Sequence, residues 1–231
     1  MHDNSAAESA LGRWQASYTL VKRAKRDRDV VALIRMLDEP TGLLDERGRE
    51  LPDVRMSALR ALRTVGDGRA VEPLAGLLDD RRTQIPATLA LGRIGDERAI
   101  PALLDVLGDQ DEFATRIVQD FPGWLQFVRH PRRTSEAMRW DHEMSLRGNA
   151  LSSLASLRAR EVLPLIVKLL AHEDLWIRAW GAELAARIGD PVAIAPVRAA
   201  ERRTPFRQRR RIRKARRQLE RGRRTSPRRR R

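Results

Sequence analysis

Cysteine is absent, and aromatic residues are few, with one Tyr, four Phe and five Trp along the chain. The first absence excludes disulfides, thiolate zinc sites and thiol catalysis, and it leaves the redox compartment unmarked. Long apolar runs are missing too: none approaches the ~18 residues that a membrane-spanning helix needs. Residues Met1 to Gln15 show no basic stretch followed by an apolar one, so no secretory leader is expected. A soluble, cytoplasmic protein is the expectation. Neither a Gly-x-Ser-x-Gly elbow nor a Gly-Lys-Ser/Thr phosphate loop occurs. No catalytic residue, cofactor or metal is expected.

Acidic residues nearly vanish at the C-terminus. Between 201 and 231, sixteen Arg and one Lys meet only Glu201 and Glu220, whereas residues 1–200 hold 29 basic and 29 acidic side chains. The whole net charge of +15 therefore sits in the last 31 residues, and a terminal block of one sign reads as an interaction arm. Thr204-Pro205 can open a helix, Ile212, Ala215 and Leu219 give it a thin apolar stripe, and Gly222 can close it. Repulsion among its arginines predicts a helix that is marginal alone and folds on a polyanion, with Arg223–Arg231 disordered. The expected polyanion-binding set is Arg207, Arg209, Arg210, Arg211, Arg213, Lys214, Arg216, Arg217, Arg221, Arg223 and Arg224. RNA or DNA is the first candidate, because phosphates attract arginine through counterion release whatever the base sequence. An anionic membrane surface is second, since the apolar stripe is thin. The neutral stretch 1–200 is expected to fold without this arm.

What is present in abundance is self-similarity. Val65-Gly66-Asp67-Gly68-Arg69-Ala70-Val71 recurs as Ile94-Gly95-Asp96-Glu97-Arg98-Ala99-Ile100, and again as Ile188-Gly189-Asp190-Pro191-Val192-Ala193-Ile194. Apolar residues at helical spacing flank each copy, such as Ala58, Leu59 and Leu62 before the first and Leu74, Leu77 and Leu78 after it. Each heptapeptide reads as a helix–turn–helix corner. Gly66, Gly95 and Gly189 take the left-handed conformation that ends a helix, and Asp67, Asp96 and Asp190 cap the next one. The Gly66-x-Gly68 pair belongs to that turn, since its counterparts carry Glu97 and Pro191 at the second position.

A fourth repeat lacks the glycine: Arg147, Ala150, Leu151, Leu154 and Leu157 match Arg55, Ala58, Leu59, Leu62 and Val65. The gap between Ile94 and Leu157 predicts a degenerate unit built from 112–118 and 135–142, interrupted by an irregular loop over 121–133. Leu11, Trp14, Tyr18 and Val21 predict an N-terminal helix, Val30, Val31, Ile34 and Leu37 the next, and Pro52 the start of another after a polar loop. The expected organisation is a capping helix over 1–28, an all-α solenoid of about five to six helix pairs over 29–200, and an Arg-rich tail over 201–231.

The helix–Gly-Asp–helix unit, with Asp174-Leu175-Trp176-Ile177-Arg178 in place of an Asp-x-x-Val-Arg motif, resembles HEAT repeats of the phycobilisome-lyase-like type. The resemblance implies an α-α superhelix and a ladder of structural arginines at Arg55, Arg147 and Arg178, from which Gln84 departs. It also implies a curved partner surface near Arg60, Arg63, Ser153, Ser156, Trp180 and Glu183. Adaptors, bilin lyase subunits and deoxyhypusine hydroxylases share this architecture, and HEAT-like alkylpurine DNA glycosylases use aromatic residues with an aspartate. His142-Glu143 and His172-Glu173 are half of the four His-Glu pairs that a di-iron hydroxylase needs, and their place before Arg147 and Arg178 puts them in turns. Trp124, Trp140, Trp176, Trp180 and Asp120 match a glycosylase in composition only. The expected function is a non-catalytic adaptor that holds a protein partner and binds a polyanion through its tail.

Overall fold

The computed structural model describes residues 4–42, 49–117 and 135–225, with side chains over 11–42, 49–117 and 142–222. No strand occurs among them, as the missing period-two alternation requires. The chain forms two compact units, Met1–Ala102 and Leu103–Arg231.

In the first unit, α1 (Asn4–Asp27) and α2 (Val30–Arg35) pack on α3 (Val54–Val65), which also packs on α5 (Gln84–Ile94) beside the short α4 (Val71–Ala75). Val21, Leu33, Leu59, Leu62, Leu74 and Leu91 form its core. Trp14 stacks on Tyr18 at 5.1 Å and donates its indole N–H to Pro52 O at 2.7 Å, tying α1 to the chain entering α3. Asp53 rather than Pro52 starts α3, accepting from the Met56 N–H at 3.1 Å. The predicted polar loop over 41–51 lies partly outside the described residues.

α6 (Ile100–Leu107) runs from the first unit into the second. There α7, helical over 110–117, precedes α8 (Ser135–Ser156), α9 (Leu163–Ala171), α10 (Leu175–Ile188), α11 (Ile194–Arg203) and α12 (Arg210–Thr225). α10 packs on α8, α9 and α12, and α11 on α9 and α12. The predicted degenerate unit is corrected in part. Residues 110–117 are helical, but 135–142 opens α8 instead of forming a helix of its own, because no proline separates Ser135 from Leu157. The loop expected over 121–133 lies outside the described residues.

The corners follow the sequence logic with one exception. Gly95 and Gly189 are left-handed, with φ of 81° and 74°, and Asp96 and Asp190 accept from the N–H two residues on. Gly66 is extended instead, at φ −65°. It is glycine for another reason: a Cβ there would stand 2.4 Å from Leu62 O. Two further corners were hidden. Arg28 and Arg158 are left-handed at φ 56° and 59°, ending α1 and α8. After each, an amide reaches back to a carbonyl five residues earlier, Asp29 N to Ala24 O at 2.8 Å and Ala159 N to Leu154 O at 3.0 Å.

Between corners, buried guanidinium groups hold the loops. Arg147 and Arg178 are only 6% and 7% exposed. Arg147 donates to Leu107 O at 2.8 Å and Asp109 O at 2.6 Å; Arg178 donates twice to His172 O, at 3.0 and 2.8 Å, and to Thr204 Oγ1 at 3.0 Å. Their charge is tolerated because carbonyl oxygens replace lost water. Arg55 pairs with the Asp80 carboxylate. Gln84 departs from the ladder in charge but keeps the contact, its amide donating to Leu78 O at 3.1 Å, six residues back, as Arg178 does to His172.

The expectation of a separate tail from residue 201 needs correction. α11 crosses that boundary, and α12 is docked: Ile212, Ala215 and Leu219 are 0%, 3% and 1% exposed. Within the fold the arginines on its flanks meet carboxylates. Arg211 forks onto Glu183 at 2.8 and 2.9 Å, and Arg213 and Arg216 share Glu201 at 3.1 and 2.7 Å. Glu220 takes Arg216 at 2.9 Å and Arg198 at 2.8 Å.

Two stability predictions follow from this architecture. Gly95→Val is expected to cost about 1–3 kcal/mol, because it puts a β-branched residue at a left-handed position, and Arg158→Gly to gain up to about 1 kcal/mol, because it relieves one. Urea denaturation reads both, and equal midpoints for all three proteins would contradict the corner assignment. Truncation after Ala200 removes Ile212 and Leu219 from the core and is expected to lower stability by at least about 3 kcal/mol. A truncated chain that unfolds at the full-length midpoint would show that α12 contributes nothing to the fold.

Candidate functional site

α12 presents three faces. At 3.6 residues per turn, Ile212, Ala215 and Leu219 point one way, while Arg210, Lys214, Arg217 and Arg221 fall within an arc of about 60° on the opposite side. Arg211 lies on one flank, Arg213 and Arg216 on the other. The four cations of the outer stripe are exposed and make no ion pair among the described residues. Arg207 is likewise exposed. The flanking arginines are engaged: burial pushes the Glu201 carboxyl up, but hydrogen bonds from Arg216 and Arg213 outweigh it and hold the group below its ordinary range. Glu183 in turn raises the Arg211 pKa. Arg209 donates to Thr204 O. Of the predicted polyanion-binding set, therefore, Arg209, Arg211, Arg213 and Arg216 hold the helix in place, and Arg207, Arg210, Lys214, Arg217 and Arg221 face solvent. The backbones of Arg223 and Arg224 continue α12, and their side chains lie outside the described ones.

A second feature of the same unit is a groove of about 290 Å³ between α7, α8 and α10. Phe113, Ile117, Met144, Trp176 and Trp180 line it, with the two indoles 6.3 Å apart. Trp176 is 48% exposed, and the Arg211 guanidinium lies 5.8 Å from its ring. Of the residues expected at a partner surface, Trp180 lines this groove. Ser153 does not: it is buried within α8. Ser156 is exposed and bonds Ser152 O at 3.0 Å, Glu183 is held by Arg211, and Arg60 and Arg63 are exposed on α3 in the first unit. Sequence reading missed Phe113 and Met144, which carry no signal beyond helical spacing.

The His-Glu pairs are not arranged as ligands. His142-Glu143 lies inside α8 rather than in a turn, and the Glu143 carboxylate faces Arg116 at 2.5 Å and Arg147 at 3.6 Å, cations that oppose a metal ion. His172 follows α9, and its Nδ1 accepts the Asp174 N–H at 2.8 Å. Among the described residues no cluster of three or more His, Asp or Glu is placed to hold a metal. His2, His130, Trp124, Asp120 and the Trp140 side chain lie outside the described residues and side chains.

His172 has a structural consequence instead. Desolvation pushes its pKa below the ordinary 6.5, against the pull of Asp174 and Glu173. The unfolded chain then takes up a proton before the folded one, so stability falls as pH drops below 6.5 towards the lowered folded value. His172→Asn keeps an acceptor for the Asp174 amide and removes the titration. Urea midpoints at about pH 7.5 and about pH 5.5 are expected to fall further for the wild type than for this variant, and parallel losses would assign the acid sensitivity elsewhere.

The family model for HEAT repeats matches residues 40–119 and 134–215, the second match running into α12. Among solved structures, the complex of CpcE and CpcF of phycocyanin lyase from Nostoc sp. PCC7120 is 22% identical, with 90% of this chain and 88% of that chain covered and a TM-score of 0.40. No curated protein matches the sequence. With both stretches of the family model falling on helix pairs joined by Gly-Asp corners, the chain belongs to the HEAT-repeat family.

Proposed function

We propose that this chain is a non-catalytic HEAT-repeat adaptor that binds a polyanion, in the first place nucleic acid, through the outer stripe of α12. The observation that carries the reading is the contrast within one helix: flanking arginines have carboxylate partners, whereas Arg210, Lys214, Arg217 and Arg221 stand in file, exposed, without one among the described residues. Counterion release makes such a file attractive to phosphates without regard to base sequence. An anionic membrane is the weaker partner, because a helix lying in a bilayer interface needs an apolar face, and Ile212, Ala215 and Leu219 are turned inward. The adaptor half of the reading rests on the groove beside Trp176 and Trp180, which offers apolar surface to side chains of a protein partner.

Four phosphate contacts predict a slope of log affinity against log salt of about −3.6 on duplex DNA and about −2.8 on a single strand. Between about 50 and about 200 mM salt, duplex affinity is then expected to fall by roughly a hundredfold. Replacing Arg210, Lys214, Arg217 and Arg221 together by Gln is expected to remove most of that slope without lowering the urea midpoint, since none of the four has a partner among the described residues and their mutual repulsion is relieved. Fluorescence anisotropy with labelled oligonucleotides measures it. An unchanged slope in the quadruple variant would overturn the assignment of the surface.

A further inference from the structure

Phe206 is the most exposed large apolar side chain among the described residues, at 73%. It occupies a short turn, Phe206–Gln208, between α11 and α12, outside the buried core. The ring is not free to wander. The Arg213 guanidinium lies 5.4 Å from its centroid, and Arg213 is itself held by Glu201 at 3.1 Å. A guanidinium so placed covers one face of the ring and, at this exposure, leaves the other open to solvent. Phe206 also lines the same depression, about 730 Å³, as Arg210, Lys214, Arg217 and Arg221. An oriented aromatic face stands at one end of a file of cations about 16 Å long.

We infer that this surface takes single-stranded nucleic acid in preference to duplex, with an unpaired base stacked on Phe206 and the following phosphates tracked by the stripe of α12. The inference rests on the polyanion reading and adds the strand state to it. Cations alone bind any phosphate chain, and double-stranded binding would need nothing of Phe206, because paired bases keep their faces inside the stack. An unpaired base offers a π-face to any aromatic platform, and an arginine behind the ring adds to the attraction. DNA and RNA strands share this chemistry. A membrane is disfavoured because insertion calls for apolar residues along the helix, and beyond Phe206 the outer stripe has none.

The test uses the full chain and its Phe206→Ala, Phe206→Leu and Phe206→Trp variants. Its probes are labelled oligothymidylate and oligouridylate of about 20 nucleotides, a duplex of the same length, heparin, and vesicles rich in phosphatidylserine. The expected result is that Ala and Leu each weaken both single strands by about five- to a hundredfold, while Trp restores or improves them. Duplex and heparin affinities are expected to stay within about twofold in every variant, since phosphate attraction alone sets them. Equal losses on duplex and single strand, or no loss on either, would overturn the stacking role while leaving the polyanion reading standing. Tight vesicle binding that Leu preserves and Ala abolishes would replace the nucleic acid by a membrane. Failure of the wild type to bind any of these probes at low salt would remove both readings together.

Discussion

The C-terminal sides of α10 and α11 would be bare without Ile212, Ala215 and Leu219, because a helix pair in a stack always has one apolar side left for the next pair to cover. α12 covers it, and the constraint explains the sequence of that helix more fully than its charge does. Three apolar positions at helical spacing are enough to dock a helix when both flanks can find carboxylates, and Glu183, Glu201 and Glu220 supply them. The arginines nearest the packed side are therefore counter-charged, and the excess of charge is confined to the side facing away.

The same economy of side chains runs through the buried polar interior. Arg147 and Arg178 do not pair with a buried carboxylate; they satisfy carbonyls of loops whose amides are already used by Asp109 and Asp174. Each loop is thus fixed from two directions, by an aspartate accepting from its amides and a guanidinium donating to its carbonyls. Removing Arg147 leaves the Leu107 carbonyl buried without that partner, which costs more than the net contribution of the bond itself. Gln84 shows that the charge is not required at every rung, since a neutral amide reaches the acceptor equivalent to the one that Arg178 uses.

The repeat architecture was legible because Gly-Asp corners combine two requirements, a left-handed residue and a cap, that few other dipeptides meet. Gly95-Asp96 and Gly189-Asp190 satisfied both in the structure. Arg28 and Arg158 were not legible: an arginine in the left-handed region leaves no trace in sequence, and its cost is absorbed by the bonds that close the turn. Gly66 misled in the other direction, being glycine to clear a carbonyl rather than to reverse the chain. The docking of α12 was missed for a physical reason as well. Local charge counting sees Glu201 and Glu220 as two acids against seventeen bases, whereas the folded chain brings Glu183 from another helix and sets all three carboxylates against the flanking arginines. The groove beside Trp180 was only half visible, since it also needs Phe113 and Met144 from helices whose pairing no spacing rule reveals.

α12, the last helix among the described residues, is apolar on one side and polar on the other, and its outer face is constrained least by the packing of the unit. Polar residues of any kind would suit that face. Here the outer positions are all cationic, although glutamates are abundant elsewhere and would have relieved the repulsion along the helix. A cap that needed only solubility would mix the signs, because like charges at three- and four-residue spacing destabilise the helix that carries them. Under the proposed function, a phosphate chain lying along Arg210, Lys214, Arg217 and Arg221 would offset the cost of keeping one sign there. The packed side, with Ile212, Ala215 and Leu219 buried and the flanking arginines paired, lets the helix persist in spite of that repulsion.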